Sequence, residues 1–213
     1  MKRINILDST DIINLKRVEK IGSGGSGKVY KVSKEHFYAL KMMKKDSIDI
    51  ESLRNFLSEY EIISMLNHPN IVKTHGIFFS DAERPASILL EYCPSNLDKM
   101  IKQKEFSNVQ IVKSIYQIVE GMKYVHFQRV IHRDLKPSNI LIAEDGIIKI
   151  CDFGISKIMT IEDQSMTLGI GTQKFMAPEI VNECNYDEKV DIYSFGVLLF
   201  FILNNGEMPK ITV

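Results

Sequence analysis

The first half of the chain carries short apolar runs separated by polar and glycine-rich turns, a pattern typical of β-strands. Strands are predicted at 15–21, 29–32, 36–43, 71–72, 76–79 and 87–92. After the third of them, apolar residues recur at helical spacing: Leu53, Phe56, Leu57, Tyr60, Ile63 and Leu66. This spacing predicts one amphipathic helix within a strand-rich half.

The second half of the chain is predicted to be mainly helical. Ser107 and Gln110 stand at the spacing of a capping box, which predicts the start of a helix. The inward face of that helix is predicted to carry Val112, Ile115, Tyr116, Val119 and Met122. The segment 190–203 is apolar on nearly every side, as in a helix buried within a domain, and the runs 140–142 and 147–150 predict a buried β-hairpin.

Length and charge argue against several classes of function. The 213 residues are enough for one large domain or for two lobes with a sizeable core. Because 27 basic and 27 acidic residues cancel, we expect no field that gathers nucleic acid or an anionic membrane. The longest apolar run, 195–203, is far below the roughly 18 residues of a membrane span, and we expect no secretory signal. Three cysteines, an odd number without metal-ligand spacing, favour a reducing compartment, so we expect a cytoplasmic protein.

A glycine-rich segment lies between the first two predicted strands. Residues 21–29 read I-G-S-G-G-S-G-K-V, which contains the pattern G-x-G-x-x-G-x-V. Glycines let backbone amides come close to phosphate oxygens, so the segment is a candidate phosphate-binding loop. The residues after it alternate like a strand, which disfavours the βαβ unit of a dinucleotide-binding enzyme. A flexible hairpin without a ligand is the alternative interpretation.

Lys41 and Glu59 are candidates for a buried ion pair. Lys41 lies within an apolar strand, where an ammonium group is costly to bury unless an anion compensates it. Glu59 follows Phe56 by three residues and precedes Ile63 by four, so it projects from the inward face of the predicted helix. The alternative is that both are ordinary surface charges.

Two polar motifs flank the predicted hairpin. Residues 132–139 read H-R-D-L-K-P-S-N and residues 152–154 read D-F-G. Further along, residues 171–179 read G-T-Q-K-F-M-A-P-E, and Asp191 begins the run D-I-Y-S-F-G. Together with the glycine-rich segment and the candidate ion pair, these motifs stand in the order found in eukaryotic protein kinases. From about residue 15 to its end, the chain resembles that family, and within it the serine/threonine and tyrosine-kinase-like branch.

The resemblance implies an α+β fold with two lobes. The N-lobe, 15–92, would be an antiparallel sheet with one helix, and a hinge at 91–95 would lead to a mainly helical C-lobe at 96–213. Residues 1–14 would form an amino-terminal extension. ATP and Mg²⁺ would bind between the lobes, and the macromolecular partner would be a protein substrate. We expect the C-lobe to be incomplete, truncated after its central helix.

In the C-lobe, the resemblance assigns a role to each polar residue of the two motifs. Asp134 would accept the proton of the substrate hydroxyl, and Lys136 would screen the transferring phosphate. Asn139 and Asp152 would hold Mg²⁺. Because Lys136 and the proline after it are similar to those of serine/threonine kinases, serine or threonine is the expected acceptor.

In the N-lobe, the resemblance implies that Lys41 holds the α- and β-phosphates while it is paired with Glu59. The other contacts with the nucleotide would come from the glycine-rich segment, the adenine pocket and the hinge. They are Ile21, Gly22, Ser23, Gly24, Gly25, Ser26, Gly27, Lys28, Val29, Ala39, Leu90, Glu91, Cys93 and Leu141.

Hydroxyl residues between Gly154 and Ala177 suggest regulation by phosphorylation. They are Thr160, Ser165, Thr167 and Thr172. A phosphate group can make several charge-assisted hydrogen bonds to a guanidinium group. We therefore hypothesise that a phosphate on Ser165 or Thr167 pairs with Arg133 and orders this loop.

The expected truncation has two consequences. Glu179 would lack the arginine that pairs with it in the family, which would destabilise the loop before it. The helix at 190–203 would expose apolar side chains that further helices cover in the family, namely Phe195, Leu199, Phe200 and Phe201. A non-catalytic module that binds nucleotide or a partner without phosphorylating anything is therefore the alternative to an enzyme.

Overall fold

The computed structural model describes residues 5–23, 27–44, 50–79, 85–159, 172–181 and 186–209. The chain divides into two compact units. The amino-terminal unit comprises Met1–Asn67 and Val72–Cys93, and the carboxy-terminal unit comprises His68–Ile71 and Pro94–Val213. A sheet dominates the first unit and helices dominate the second, so the α+β class expected from the sequence is confirmed.

Five strands form the sheet of the amino-terminal unit. They are β1 (Lys16–Ser23), β2 (Gly27–Ser33), β3 (Phe37–Met43), β4 (Thr74–Phe78) and β5 (Ser87–Glu91). Their spatial order is β1-β2-β3-β5-β4, and all neighbours are antiparallel. Five of the six predicted strands are thereby confirmed. The sixth, at 71–72, is wrong as a strand of this sheet, because Ile71 belongs to the carboxy-terminal unit and forms an isolated parallel bridge with Ile150 of the same unit.

The amino-terminal unit also contains two helices, α1 (Ser9–Ile13) and α2 (Ile50–Met65). They pack on opposite faces of the sheet. Successive side chains of a strand point to opposite faces, and the two helices contact side chains on different faces. Ile12 of α1 packs with Leu40 and Met42 of β3. Phe56 of α2 packs with Ile88 of β5 on the other face. The amphipathic helix predicted between the third and fourth strands is thus confirmed as α2.

The carboxy-terminal unit contains four α-helices and five short strands among the residues that the structure describes. The helices are α3 (Leu97–Lys102), α4 (Asn108–Phe127), α5 (Pro178–Val181) and α6 (Lys189–Leu203). The strands are β6 (Ser95–Asn96), β7 (Val130–Ile131), β8 (Ile140–Ile142), β9 (Ile148–Ile150) and β10 (Lys157–Ile158). The predicted hairpin is confirmed as β8 and β9, with β6 paired on its edge.

Helix α4 begins at the predicted capping box, but only Met122 of its predicted inward face is buried. Val112 and Tyr116 are each 65% exposed. The rest of the buried side consists of Ser114, Ile118, Gly121 and Val125. At Gly121 an added Cβ would lie only 2.7 Å from Ile150 Cδ1, so the helix packs closely against β9 through a residue without a side chain. Glycine and serine give no hydrophobic signal, and the apolar pattern therefore pointed to another face.

The apolar helix predicted at 190–203 is confirmed as α6, although one side chain expected to be exposed is buried. Phe201 is 4% exposed, and its ring lies edge-on to that of Phe175 with 6.5 Å between centroids. Phe200 is 41% exposed, in line with the expectation. Within the described ranges, no helix combines the length and the apolar character that a membrane crossing requires.

Candidate active site

Lys41 and Glu59 form a buried ion pair in the amino-terminal unit. Lys41 Nζ lies 2.5 Å from Glu59 Oε1, and the two residues are only 7% and 4% exposed. The sheet places Lys41 in β3 between Val29 of β2 and Ile88 of β5. The helical period directs Glu59 inward together with Phe56. The alternative of two surface charges is therefore wrong, while the role of the pair toward a nucleotide stays a prediction.

Three residues predicted to contact the nucleotide share the sheet face of Lys41. Val29 is the cross-strand partner of Lys41, and Ala39 lies two residues before Lys41 with Leu90 as its own partner on β5. Directly paired residues point to the same side of a sheet, as do residues two positions apart on one strand. This face therefore carries an ammonium group beside apolar side chains, as a phosphate next to an aromatic base would require.

The other residues predicted to contact the nucleotide are distributed over both units. Ile21, Gly22 and Ser23 end β1, and Gly27 and Lys28 begin β2. The remaining ones in the amino-terminal unit are Gly24, Gly25 and Ser26, which lie outside the described residues, and Glu91 and Cys93, at and just after the end of β5. Leu141 belongs to the carboxy-terminal unit, where it is half-buried in β8.

In the carboxy-terminal unit, the side chain of Asp134 is held by several hydrogen bonds. Lys136 Nζ lies 2.5 Å from Asp134 Oδ2. Asn139 Nδ2 donates to the same oxygen at 3.0 Å and to the Asp134 carbonyl at 2.9 Å. A short 3₁₀ turn at Pro137–Asn139 brings the amide of Asn139 back toward Asp134, which is 9% exposed. Lys136 and Asn139 of the first motif thus both bond to the carboxylate of Asp134.

Thr172 contacts the same carboxylate from a distant part of the chain. Its backbone N–H and its hydroxyl donate to Asp134 Oδ1, at 3.1 Å and 2.8 Å. Lys136 Nζ in turn donates to the Thr172 hydroxyl at 2.7 Å. From the sequence, Thr172 is predicted only as one of the loop hydroxyls. Its position in the G-T-x-x-F motif is the feature that could have identified it as a site residue.

Asp191, near the start of α6, fixes the backbone of the H-R-D-L-K-P-S-N motif at its first two residues. Its carboxylate accepts the backbone N–H groups of His132 and Arg133, each at 2.8 Å. His126 Nε2, at the end of α4, lies 2.8 Å from Asp191 Oδ2. Asp191 is 1% exposed, and Arg133 has a φ of +67°, a conformation that residues with a side chain rarely adopt. The buried carboxylate therefore stabilises an unusual backbone conformation next to Asp134.

Arg133 is engaged inside the carboxy-terminal unit. Its Nε donates to the Ile155 carbonyl, and its Nη1 donates to the Tyr186 hydroxyl at 3.0 Å. The residue is 7% exposed. Ser165 and Thr167, the hypothesised carriers of a phosphate that would pair with Arg133, lie outside the described residues, so this pairing stays a hypothesis.

Asn139 and Asp152 lie on adjoining stretches of backbone. The Asn139 carbonyl accepts the N–H of Cys151, the residue before Asp152, at 3.0 Å. The ring of Phe153 packs edge-on against His132, with 4.9 Å between centroids, and holds the D-F-G segment against the first residue of the H-R-D-L-K-P-S-N motif. Mg²⁺ prefers oxygen ligands and usually takes one or two from the protein and the rest from water and phosphate. The carboxylate of Asp152 and the amide oxygen of Asn139 fit that requirement.

Residues 15–210 match the family described as the protein kinase domain. The chain belongs to the protein kinase family. This kinase domain is similar to a probable serine/threonine-protein kinase of Dictyostelium discoideum (38% identity over 202 residues) and to the Aurora kinase of Saccharomyces cerevisiae (36% over 211 residues). The alignments cover 92% and 96% of this chain but 21% and 57% of those proteins. The chain thus spans less than three fifths of the length of these curated relatives.

The resemblance inferred from the motifs is confirmed, and with it the antiparallel sheet and the mainly helical second part of the kinase domain. The motifs led directly to Asp134, Lys136 and Asn139, which the structure brings together. They gave no indication of His126, because a single histidine near a helix end has no distinctive pattern. Its contact with Asp191 depends on the tertiary packing of α4 and α6.

Proposed function

We propose that this kinase domain transfers the γ-phosphoryl group of ATP to serine or threonine of a protein substrate. The observation that carries the proposal is the Asp134 carboxylate, held by Lys136, Asn139 and Thr172. A fixed carboxylate oxygen suits a proton arriving from a hydroxyl group. Phosphoryl transfer needs little covalent chemistry from the protein beyond such positioning and the neutralisation of charge.

In the amino-terminal unit, Lys41 would contact the phosphates of ATP. An ammonium group has three N–H donors, and one of them is directed to Glu59 Oε1. The carboxylate of Glu59 fixes the position of the ammonium group and offsets the cost of its burial. The apolar side chains of Val29, Ala39 and Leu90 on the same sheet face suit the adenine ring.

Mg²⁺ is the cofactor in this proposal, with Asn139 and Asp152 as its ligands. When bound, it would neutralise part of the phosphate charge. Asn139 would then serve two purposes, because its Nδ2 donates to Asp134 and its Oδ1 would be the oxygen ligand of the ion. The backbone hydrogen bond between Asn139 and Cys151 keeps the two ligands adjacent.

The chemical step would use Asp134 and Lys136. The oxygen of the substrate hydroxyl forms a bond to the γ-phosphorus, its proton passes to Asp134, and ADP leaves as the bond to the β-phosphate oxygen breaks. Lys136 Nζ, 2.5 Å from Asp134 Oδ2, offsets the charge on the phosphoryl group in transit. Both residues lie on the segment that Asp191 fixes, so their positions do not have to be established during the reaction.

Serine or threonine is the proposed acceptor for two reasons. The similar proteins named above include a probable serine/threonine-protein kinase, and a serine/threonine-protein kinase of Arabidopsis thaliana is 34% identical over 215 residues, 95% of this chain. Lys136, the residue that is similar to serine/threonine kinases, also contacts the proposed base Asp134 and the hydroxyl of Thr172. A cytoplasmic location is part of the proposal, in keeping with the odd number of cysteines in the sequence.

The test is a transfer assay with phosphoamino-acid analysis. Purified protein is incubated with Mg²⁺, ATP labelled at the γ-phosphate, and a mixture of serine-, threonine- and tyrosine-containing peptides. We expect label in phosphoserine or phosphothreonine. A thermal shift with Mg²⁺-ATP but no labelled peptide would instead support the non-catalytic binding module, and label in phosphotyrosine alone would contradict the proposed acceptor.

Replacing Thr172 by valine tests the contact with Asp134. Valine keeps the shape of threonine but removes the hydroxyl that bonds both Asp134 and Lys136. We expect kcat to fall roughly tenfold, as for the loss of about 1–1.5 kcal/mol of positioning. Thr172→Ser, which keeps the hydroxyl, is the control and should retain most of the activity. Equal kcat values for the valine variant and the wild type would remove Thr172 from the site.

A further inference from the structure

The segment before β1 pairs with the edge of the sheet. The N–H of Leu7 donates to the Ile77 carbonyl at 2.8 Å, and the N–H of Ile77 donates to the Asn5 carbonyl at 3.0 Å. Ile6 and Ile77 thus form a parallel bridge along β4, which is the last strand of the five-stranded sheet. Residues 5–7, hereafter the amino-terminal clamp, occupy hydrogen-bonding groups that an edge strand otherwise leaves open.

The clamp also contacts helix α2 through Tyr60. The hydroxyl of Tyr60 accepts the N–H of Asn5 at 3.1 Å and donates to the Asn5 carbonyl, 3.2 Å away. Tyr60 is 4% exposed, and its burial raises the pKa of the phenol, so the hydroxyl keeps its proton at neutral pH. A buried tyrosine hydroxyl needs a partner, and here one backbone residue of the clamp supplies both a donor and an acceptor.

The edge strand is shaped to receive the clamp. The Asn5 side chain donates to the carbonyl of His75, and the next residue is Gly76 with a φ of +152°. A Cβ at Gly76 would lie 2.8 Å from the Asn5 carbonyl oxygen and 2.8 Å from Leu7 Cγ. Only glycine therefore allows the clamp to lie this close to β4.

The chain after the clamp is fastened to the opposite face of the sheet. The Asp8 side chain accepts the N–H of Asp11 at 2.9 Å and caps α1. The Asp11 side chain in turn accepts the N–H of Asp8 at 3.1 Å. Ile12 of α1 then packs with Leu40 and Met42. The clamp contacts α2, which packs on the face opposite to that of α1. Residues 5–13 therefore pass around the β4 edge of the sheet and contact elements on both of its faces.

We propose that the amino-terminal clamp positions helix α2 and that Tyr60 is a positioning residue for the ion pair between Lys41 and Glu59. This inference rests on the proposed function, in which that pair contacts ATP. Tyr60 directly follows Glu59 on the same helix, so a shift of α2 at Tyr60 moves the carboxylate as well. The Asn5 carbonyl also accepts a hydrogen bond from the backbone of β4. Through Asn5 and Tyr60, the sheet that carries Lys41 therefore fixes the position of the helix that carries Glu59.

The kinetic test is a double-mutant cycle with Tyr60→Phe and Asn5→Pro in the full chain. Phenylalanine removes only the hydroxyl, and proline removes the N–H that Tyr60 accepts. We expect each variant to lower kcat roughly three- to tenfold, as for one buried hydrogen bond, with the KM for the protein substrate unchanged. Proline also removes the Asn5 side chain that donates to the His75 carbonyl. The double variant should be no worse than the more impaired single variant, because each change breaks the contact between Tyr60 and Asn5. Tyr116→Phe, at a 65% exposed tyrosine on α4, is the matched control.

Hydrogen exchange separates failure of this inference from failure of the proposed function. Exchange of the α2 amides, followed by mass spectrometry, needs no catalytic activity. We expect it to be roughly three- to tenfold faster in Tyr60→Phe and in Asn5→Pro than in the wild type or in Tyr116→Phe. Unchanged exchange would overturn the clamp whether or not the wild type transfers phosphate. Additive losses of kcat in the double variant would overturn the role of Tyr60 through Asn5.

Discussion

Replacing Asp191 by alanine is expected to lower the free energy of unfolding by about 2–5 kcal/mol, because two buried N–H groups lose their acceptor. These are the backbone amides of His132 and Arg133, each 2.8 Å from an Asp191 oxygen. Both residues are at most 7% exposed, so bulk solvent does not reach these N–H groups to replace the carboxylate. The positive φ of Arg133 would lose its support as well, so we expect kcat to fall together with stability.

Urea denaturation measures the stability change, and two variants control for it. Asp191→Asn keeps one side-chain oxygen as acceptor and should lose less than the alanine variant. Asp98→Ala removes a surface carboxylate that pairs with Lys102 on α3, and it should cost less than about 1 kcal/mol. If the free energy of unfolding of Asp191→Ala lies within about 1 kcal/mol of the wild-type value, the role given to this carboxylate is contradicted.

Replacing Asp134 by asparagine should reduce kcat roughly 10²–10⁴-fold, the range found for loss of a general base. Asparagine has nearly the same shape, and its side-chain oxygen can still accept the hydrogen bond from Thr172. It cannot take up the proton of the substrate hydroxyl. The residues proposed to contact ATP in the amino-terminal unit are unchanged, so we expect nucleotide affinity to stay within about threefold.

The measurement for this variant combines steady-state kinetics with calorimetric titration of ATP. Asp145→Asn, in the exposed turn between β8 and β9, is the matched control because it makes the same chemical change away from the site. A loss of ATP affinity as large as the loss of kcat would show that Asp134 supports binding and not proton transfer. Retained kcat would remove Asp134 as the base.

Local patterns were enough to predict the ion pair in the amino-terminal unit. Strand alternation placed Lys41 among apolar neighbours, and the helical period placed Glu59 on the same side as Phe56. Each inference needed only one element and its periodicity. The two residues are 18 positions apart, and the packing of α2 on the sheet brings them to 2.5 Å.

Contacts that depend on tertiary packing could not be predicted in the same way. Thr172 reaches Asp134 across 38 positions, and His126 reaches Asp191 across 65, so no local period relates either pair. Gly121 packs closely against Ile150 although it adds nothing to an apolar pattern. The first two contacts depend on how the chain folds between distant residues, and the third depends on the absence of a side chain at Gly121 beside Ile150.

The amino-terminal segment carries a local signal for a helix. Asp8 and Asp11 stand at the spacing of a capping box, and the structure has a helix there. Its contact with Tyr60 spans 55 positions, so sequence periodicity could indicate the helix but not the clamp. Family matching begins at residue 15, and the clamp lies before that point.

The most direct test of the proposed function is a single-turnover experiment with enzyme in excess over γ-labelled ATP and a saturating serine or threonine peptide. Product release does not limit this rate, so the chemical step is observed by itself. We expect the wild type to transfer label to the peptide in one exponential phase, and Asp134→Asn to do so roughly 10²–10⁴ times more slowly. Bound ATP with no label in the peptide, or equal rates for the two proteins, would contradict phosphoryl transfer at Asp134.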